Sequence, residues 1–259
     1  MQRSPLYTIL FATAVCIVCA IVVSSTAVTL KERQDINAAL DKQRNVLQAA
    51  GLMEPKEKIS AEEVAKRFEN IEMEVIDLES GEPAPDIDPA GFDQAKEAKD
   101  PATSAPAPPN PSLVKRLPNH SMVYKVLDDQ GDLDALVLPI EGYGLWKFLY
   151  GFIALERDLN TVRGITYYEH GETPGLGGEV DNPRWKQKWV GRKVFDDDGE
   201  VEIEVIKGYA GPVETDPYEV DGLSGATLTA RGVTNMIHFW LGESGFRPYL
   251  DNLAQEGTA

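Results

Sequence analysis

The chain has 259 residues, of which 42% are hydrophobic, and its formal net charge is −17 at pH 7. This length allows one or two domains with a sizeable hydrophobic core. The acidity argues against a nucleic-acid partner, since contacts with phosphates require a basic face, and it fits a solvated domain outside a membrane or partners with basic patches.

Residues 1–30 are predicted to form the N-terminus and a transmembrane helix. No charged residue lies between Arg3 and Lys31. At about 1.5 Å per residue, a helix of this length crosses the roughly 30 Å hydrocarbon core of a lipid bilayer. A cleaved signal peptide is the alternative, with a passable cleavage site at residues 25–27. The apolar run is longer than a usual signal core, which favours a retained single-span anchor.

Cys16 and Cys19 are the only cysteines of the chain and are spaced as C-x-x-C. That spacing is typical of metal or redox sites in cytosolic loops. Both residues lie inside the apolar run, without a nearby histidine to complete a metal site. We therefore predict ordinary membrane residues and no metal site, although half of a cluster shared with another subunit stays open.

Residues 31–80 are predicted to form a helical stalk and the start of the soluble domain. The pattern predicts a helix over 32–50, ended by Gly51. A second helix begins at Ser60, where Glu63 completes a capping box. Residues 72–78 alternate weakly between apolar and charged side chains, as a strand does.

Residues 81–111 form an insertion or linker of different composition, with eight prolines and one aromatic residue, Phe92. It is too poor in apolar side chains to form a core of its own. We expect a solvated segment rather than a docking element.

Residues 112–259 are predicted to form the main domain, of the α+β class. The hydrophobic pattern predicts strands over 122–127, 135–140, 152–156, 164–170 and 201–207, and helices over 183–190 and 226–241. A turn over 128–132 joins the first two strands. Strands and helices do not alternate as βαβ units do, which argues against a doubly wound sheet.

The stretch from Asp221 to Thr229 lies where a loop turns into the helix over 226–241. Ser224 is a suitable N-cap, and small residues follow it, so the first free N–H groups of the helix are accessible to an anion such as a phosphate. A capped helix without a ligand is the plain alternative. A hydrolase elbow is disfavoured, since the last position departs from G-x-S-x-G and His238 follows on the same helix without an intervening acid.

Two loops, residues 141–146 and 170–178, are rich in glycine and contain polar side chains that packing of a hydrophobic core would not require. Glycines such as Gly175 allow positive φ angles or a close approach of the backbone to a flat ligand. Thr173 would hydrogen-bond a pyrimidine edge, and Trp146 and Leu176 offer apolar surface to an aromatic ring. Neither loop has a G-x-G-x-x-G placed between strand and helix, so a nicotinamide dinucleotide is not indicated.

Three motifs occur in order behind the single span: G-Y-G-L-W at 142–146, H-G-E-T-P-G-L-G at 170–177 and D-G-L-S-G-A-T at 221–227. Together they resemble the C subunits of the sodium-translocating NADH:quinone oxidoreductases, and they are similar to the G subunits of the related Rnf complexes. The total length and the proline-rich insertion favour the quinone-reductase family. The third motif resembles a flavinylation sequence, D-x-x-[ST]-G-A-T.

This resemblance implies FMN attached through a phosphoester bond to Thr227, with Thr229 as the obvious wrong alternative. The motif residues Asp221, Ser224, Gly225 and Ala226 would help to bind the cofactor. Lys207 is either an exposed lysine or a cation that neutralises the phosphate or the N1 side of a reduced ring, and the sequence leaves both open. His170 and His238 are expected to serve packing or hydrogen bonding.

The resemblance also implies an electron carrier that is not a complete enzyme alone and has no catalytic residue of its own. Its partners would be iron–sulfur and flavin-bearing membrane subunits, and a flavin transferase would attach the FMN from FAD. The FMN-binding α+β domain, with a mostly antiparallel sheet, would lie on the periplasmic side of a bacterial inner membrane. An anchored extracytoplasmic binding module without covalent cofactor is the alternative of a different class.

Overall fold

The computed structural model of the protein describes residues 4–55 and 57–256. The chain divides into two compact units, one up to Lys42 and one from Gln43 onward. Helix α1, Pro5–Ala49, begins in the first unit and ends in the second. Its apolar part has a mean hydropathy of 2.7 and no buried residues, so its length and composition suit a membrane crossing. The prediction of an N-terminal transmembrane helix is confirmed as far as the length and composition of the helix are concerned.

The second unit contains the strands and the remaining helices. Its helices are α2 Ala61–Phe68, α3 Gln94–Glu97, α4 Pro183–Lys186, α5 Thr227–Leu241 and α6 Arg247–Glu256. Its strands are β1 Ile71–Asp77, β2 Ser104–Pro106, β3 Arg116–Pro118, β4 His120–Leu127, β5 Leu133–Tyr143, β6 Phe148–Glu156, β7 Val162–Glu169, β8 Glu204–Val205 and β9 Glu219–Val220.

The central sheet has five strands in the order β1-β4-β5-β6-β7, and every neighbouring pair is antiparallel. The predicted α+β class with a mostly antiparallel sheet is confirmed. The predicted turn between β4 and β5 is also present, since an Asp128 carboxylate oxygen accepts hydrogen bonds from the amides of Gln130 at 2.8 Å and Asp132 at 3.0 Å. This turn fixes the register of the hairpin.

One face of the sheet packs against α5. Leu136, Leu138 and Ile140 are alternate residues of β5, and their buried side chains share one core cluster with Met236, Ile237 and Trp240 of α5. The Trp240 Nε1–H donates to the Glu141 carbonyl at 2.7 Å. A Cβ atom on Gly142 would lie 2.7 Å from Met236 Cβ, so the absence of a side chain allows the helix to approach the strand.

The opposite face of the sheet meets the end of α1. Thr166 Oγ1 donates to the Asn45 carbonyl at 3.1 Å, and the backbone of Ala49 lies directly on Gly164. Gly51 ends α1 with a φ of +71°, as predicted from the sequence. A row of aromatic rings with centroids 5.4–6.2 Å apart continues along this face: Phe68, Tyr124, Phe152, Tyr168, Tyr150, Phe148 and Tyr143.

Two sequence predictions in the second half of the chain need correction. The strand predicted over 201–207 is reduced to β8, which pairs in parallel with β9. The amides of Glu202 and Ile203 instead both donate to the Val194 carbonyl. These backbone groups are therefore paired with an irregular segment and not with a neighbouring strand. The helix predicted over 183–190 is α-helical only over Pro183–Lys186 and continues as turns.

Glu141 lies on the aromatic face of the sheet, directly opposite Tyr150 in the β5–β6 pair. Burial raises the pKa of its carboxyl group to about 7, although the positive charge of Lys99 acts in the opposite direction. Between about pH 4.5 and pH 7 the folded chain therefore holds a proton that the unfolded chain has released. The stability contributed by this group is lost as the pH rises through that window.

We expect Glu141→Gln to remove this loss, because glutamine does not ionise. The variant should match the parent protein near pH 4.5 and exceed its free energy of unfolding by about 3 kcal/mol at pH 8. Urea unfolding of the full chain in detergent, followed by tryptophan fluorescence, measures the difference. Glu169→Gln, at an exposed carboxylate on β7, is the control and should show no gain. A Glu141→Gln curve that parallels the parent at every pH would contradict the expectation.

Candidate functional site

Helix α5 begins at Thr227, with Ala226 at the capping position and no capping bond from a side chain. The prediction that Ser224 is the N-cap is therefore wrong. Gly225 has a φ of +70°, and the Ala226 amide donates to the Leu223 carbonyl at 3.1 Å, which forms a tight turn before the helix. This turn leaves Ser224 exposed, two residues short of the capping position.

A cleft of about 700 Å³ lies between the start of α5 and the segment that follows β8. Its volume is within the range of ligand pockets. The cleft brings together Lys207, Ser224, Gly225 and Thr227, all of which the sequence singles out. Its full lining is Glu204, Val205, Ile206, Lys207, Gly208, Tyr209, Gly222, Leu223, Ser224, Gly225, Thr227, Ala230, Arg231, Thr234 and Asn235.

Two cationic side chains line this cleft, Lys207 and Arg231. Both are exposed, and within residues 4–55 and 57–256 neither takes part in an ion pair. Sequence reasoning missed Arg231. The signal was present, since Arg231 follows Thr227 by four residues on a predicted helix, and residues at that spacing share one helix face.

Glu172 is the buried centre of the site, with only 5% of its surface exposed. Its Oε1 accepts hydrogen bonds from the amides of Leu145 and Trp146, each at 3.0 Å, and its Oε2 accepts one from Thr229 Oγ1 at 2.5 Å. One carboxylate thus joins both glycine-rich loops to α5. Sequence reasoning missed this role, although Glu172 is the only charged residue between Gly171 and Gly178.

Gly144 and Gly177, one in each loop, are required by packing around Glu172. A Cβ atom on Gly177 would lie 2.5 Å from both Glu172 Oε2 and Thr229 Oγ1, and one on Gly144 would lie 2.6 Å from Glu172 Oε1. Gly175 is different, since it has a φ of +75° and open space where a Cβ atom would be. The glycines were expected to let a ligand approach the backbone, but Gly144 and Gly177 instead let other parts of the protein approach it. Gly175 provides the positive φ angle of the turn.

The two threonines of the third motif have opposite environments. Thr229 is fully buried and its hydroxyl is bonded to the Glu172 carboxylate. Thr227 is exposed and lines the cleft. Because a group-transfer reaction needs a hydroxyl that the donor can reach, Thr227 is the accessible one of these two threonines in the folded chain.

Trp146, Thr173, Gly175 and Leu176 lie on the two loops joined by Glu172 and do not line the cleft. Trp146 is 60% exposed and Leu176 is 44% exposed. Leu176 Cδ2 lies 3.0 Å from the position that a Cβ atom on Gly225 would take, so this side chain touches the turn before α5. The loops therefore form an exposed, partly apolar rim that adjoins the turn at Gly225.

Asp221 is buried behind the cleft. Its Oδ1 accepts a hydrogen bond from the Ala210 amide at 3.0 Å, and its Oδ2 lies 3.4 Å from Lys188 Nζ. The Trp185 Nε1–H donates to its carbonyl at 2.8 Å. Asp221 thus fixes the loop that forms one wall of the cleft. Ala226, the capping residue of α5, is buried.

The two histidines near the site make hydrogen bonds within the protein, as expected. His170 Nε2 lies 2.8 Å from an Asp181 carboxylate oxygen, and His238 Nε2 lies 2.8 Å from the Ile203 carbonyl. The first contact holds the start of the second glycine-rich loop, and the second holds α5 against the segment before β8.

Comparison with known proteins points to one family. A protein-family model described as an FMN-binding domain matches residues 144–242, which include both Glu172 and α5. The chain is 49% identical to the C subunit of the Na(+)-translocating NADH-quinone reductase of Pseudomonas aeruginosa over 97% of each chain. It is 46% identical to the protein of the same name from Yersinia pestis, over 96% of this chain and 92% of that one.

Solved structures agree with this comparison. The crystal structure of Shewanella oneidensis NqrC superposes with a TM-score of 0.77 and 36% sequence identity, over 84% of this chain and 99% of that chain. The crystal structure of the C subunit of the Na(+)-translocating NADH-quinone reductase from Parabacteroides distasonis superposes with a TM-score of 0.65 and 27% identity, over 85% of this chain and 96% of that chain.

We expect Glu172→Ala to lower the free energy of unfolding by about 3 kcal/mol or more, because it leaves three donors, among them the buried Thr229 hydroxyl, without their acceptor. Glu172→Gln keeps an acceptor oxygen and should cost only about 1 kcal/mol. Glu169→Ala, at an exposed position on β7, should stay within about 0.5 kcal/mol of the parent. Denaturant unfolding measures all three, and equal losses for the Ala and Gln variants at position 172 would contradict the role of the carboxylate as an acceptor.

Proposed function

This chain belongs to the family of C subunits of the Na(+)-translocating NADH-quinone reductases, and from that membership we propose that its FMN is bound covalently, through a phosphoester bond between the cofactor and Thr227 Oγ1. The family assignment makes the chain a subunit of a sodium-translocating oxidoreductase with an FMN-binding domain. The covalent bond, its position and the side of the membrane are parts of the proposal.

The environment of the two threonines is the observation that carries the assignment to Thr227. The Thr227 hydroxyl opens into a cleft with two cations, whereas the Thr229 hydroxyl is enclosed and bonded to Glu172. A phosphodiester retains roughly one negative charge, which the start of a helix and nearby cations stabilise. Lys207, on the opposite wall of the cleft, would neutralise this phosphate or the N1 side of a reduced ring.

The rim formed by the two loops would hold the ring system of FMN. Trp146 and Leu176 provide exposed apolar surface, and Thr173 provides a hydroxyl for the pyrimidine edge. Gly225, flanked by Ser224 and Ala226, adjoins Leu176 and would connect this rim to the phosphate at Thr227. When bound, FMN supplies the reversible uptake of electrons, and the protein contributes binding, orientation and polarity.

The electron donor and acceptor would lie in other chains. We propose that an iron–sulfur centre and a second flavin in neighbouring membrane subunits exchange electrons with this FMN. The exposure of Trp146 and Leu176 supports that role, because a rim open to solvent leaves an edge of the ring accessible to a partner. The relatives described above carry the name of the quinone reductase, which favours that complex over an Rnf complex.

A separate flavin transferase would attach the cofactor, with FAD as the donor. Thr227 Oγ1 forms a bond to the phosphorus on the FMN side of FAD, the pyrophosphate bond breaks, and AMP leaves with the bonding electrons. The hydroxyl proton passes to a base of the transferase. The FMN-binding domain would lie on the periplasmic side of the inner membrane, with the N-terminus in the cytoplasm.

We expect Thr227→Ala to abolish covalent flavin and Thr229→Val to retain it when each is co-expressed with a flavin transferase. Valine is β-branched like the buried threonine and lacks its hydroxyl. In-gel fluorescence after denaturing electrophoresis and an intact mass increased by one FMN provide the measurement. Fluorescence lost only in Thr229→Val would move the site by two residues. A colourless wild type beside a flavinylated control protein would refute covalent attachment.

The proposed orientation predicts the reactivity of cysteines placed before the apolar helix and in the second unit. In a background with Cys16→Ala and Cys19→Ala, we expect Glu214→Cys to react with a membrane-impermeant maleimide in spheroplasts, since this residue is exposed in the second unit. Ser4→Cys, before the apolar helix, should react only after lysis. The reverse pattern would place the FMN-binding domain in the cytoplasm.

A further inference from the structure

We propose that Arg231 holds the phosphate of the bound FMN, as a positioning residue that sets the phosphodiester on Thr227. This inference rests on the covalent attachment proposed above. It assigns a function to a cation that the sequence motif does not include.

The first argument is the placement of Arg231 on α5. It lies four residues after Thr227, so the two side chains share one face of the helix with Cβ atoms about 5–6 Å apart. Long side chains on a helix lean towards its N-terminus and cover the preceding turn. Arg231 is therefore directed towards the turn that carries the Thr227 hydroxyl, and both residues line the same cleft.

The second argument is that other polar side chains on this face of α5 are already engaged. Thr234 Oγ1 accepts a hydrogen bond from the Val205 amide at 2.9 Å, and Asn235 Nδ2 donates to the Pro111 carbonyl at 3.3 Å. Arg231 takes part in no hydrogen bond or ion pair within the described chain and is exposed to the cleft. Its donors are thus available to a ligand.

The third argument is chemical. A guanidinium presents several N–H donors in a plane and binds two phosphate oxygens at once, whereas a lysine acts as a point charge. A phosphodiester has two free oxygens, which suits this geometry. The chain as a whole carries a net charge of −17 and repels anions, so a cation beside Thr227 also counteracts that repulsion where the anionic donor must approach.

The test uses the full chain in detergent, purified flavin transferase and FAD. We expect the initial rate of attachment to fall about tenfold in Arg231→Gln and about two- to threefold in Arg231→Lys, since lysine restores the charge and not the planar fork. Arg157→Gln is the matched control. Arg157 is an exposed arginine that comes directly after the last residue of β6, at the end of the strand that lies away from the rim. Its rate should equal that of the wild type.

A second readout separates contact from a general effect on folding. After prolonged reaction, the ³¹P resonance of the attached phosphodiester should be displaced in Arg231→Gln and unchanged in Arg157→Gln, because only the first change removes a donor to the phosphate. A rate and a ³¹P resonance equal to wild type in Arg231→Gln would overturn the proposal, as would an equal slowing in Arg157→Gln. Failure of the wild type itself to become flavinylated would instead refute the proposed function.

Discussion

The site depends on one buried carboxylate. The carboxyl group of Glu172 is almost fully enclosed, and burial of such a polar group is costly unless hydrogen bonds compensate for it. Three hydrogen bonds from two separate parts of the chain provide that compensation. The amides of Leu145 and Trp146 fix one loop, and Thr229 fixes the helix. Because Gly144 and Gly177 crowd this carboxylate, a side chain at either position would displace it. The rim and the start of α5 are therefore set by a single contact point.

The antiparallel sheet provides the frame on which this contact is built. Glycines let α5 approach β5 closely, since a Cβ atom on Gly232 would lie 2.4 Å from the Tyr143 carbonyl. The same strand leads directly into the loop that donates to Glu172. The close packing of α5 on β5 thus sets the position of Thr227 relative to the rim. The cationic side chains of the cleft, Lys207 and Arg231, lie on the exposed side of α5.

Much of this arrangement could be predicted from the sequence because it is local. The periodicity of α5, the end of α1 at Gly51 and the Asp128 turn follow from rules that act over a few residues. Ser224 was misassigned because a glycine in the left-handed region moves the helix start by two residues, which a capping pattern does not reveal. Glu172 was missed because its partners are 26 to 57 residues away in the chain, and nothing in the local pattern marks them.

The enclosure of Thr229 has a kinetic consequence. Its hydroxyl reaches solvent only when the bond to Glu172 breaks and the loops separate from the helix, so any covalent modification of Thr229 requires a transient opening of the folded chain. Local openings of this kind occur in native proteins with free energies below that of global unfolding. The rate at which Thr229 becomes covalently modified would therefore measure how often these openings occur, as slow amide hydrogen exchange does for backbone groups. A faster rate would show that heat or a substitution has weakened the contact between the loops and α5.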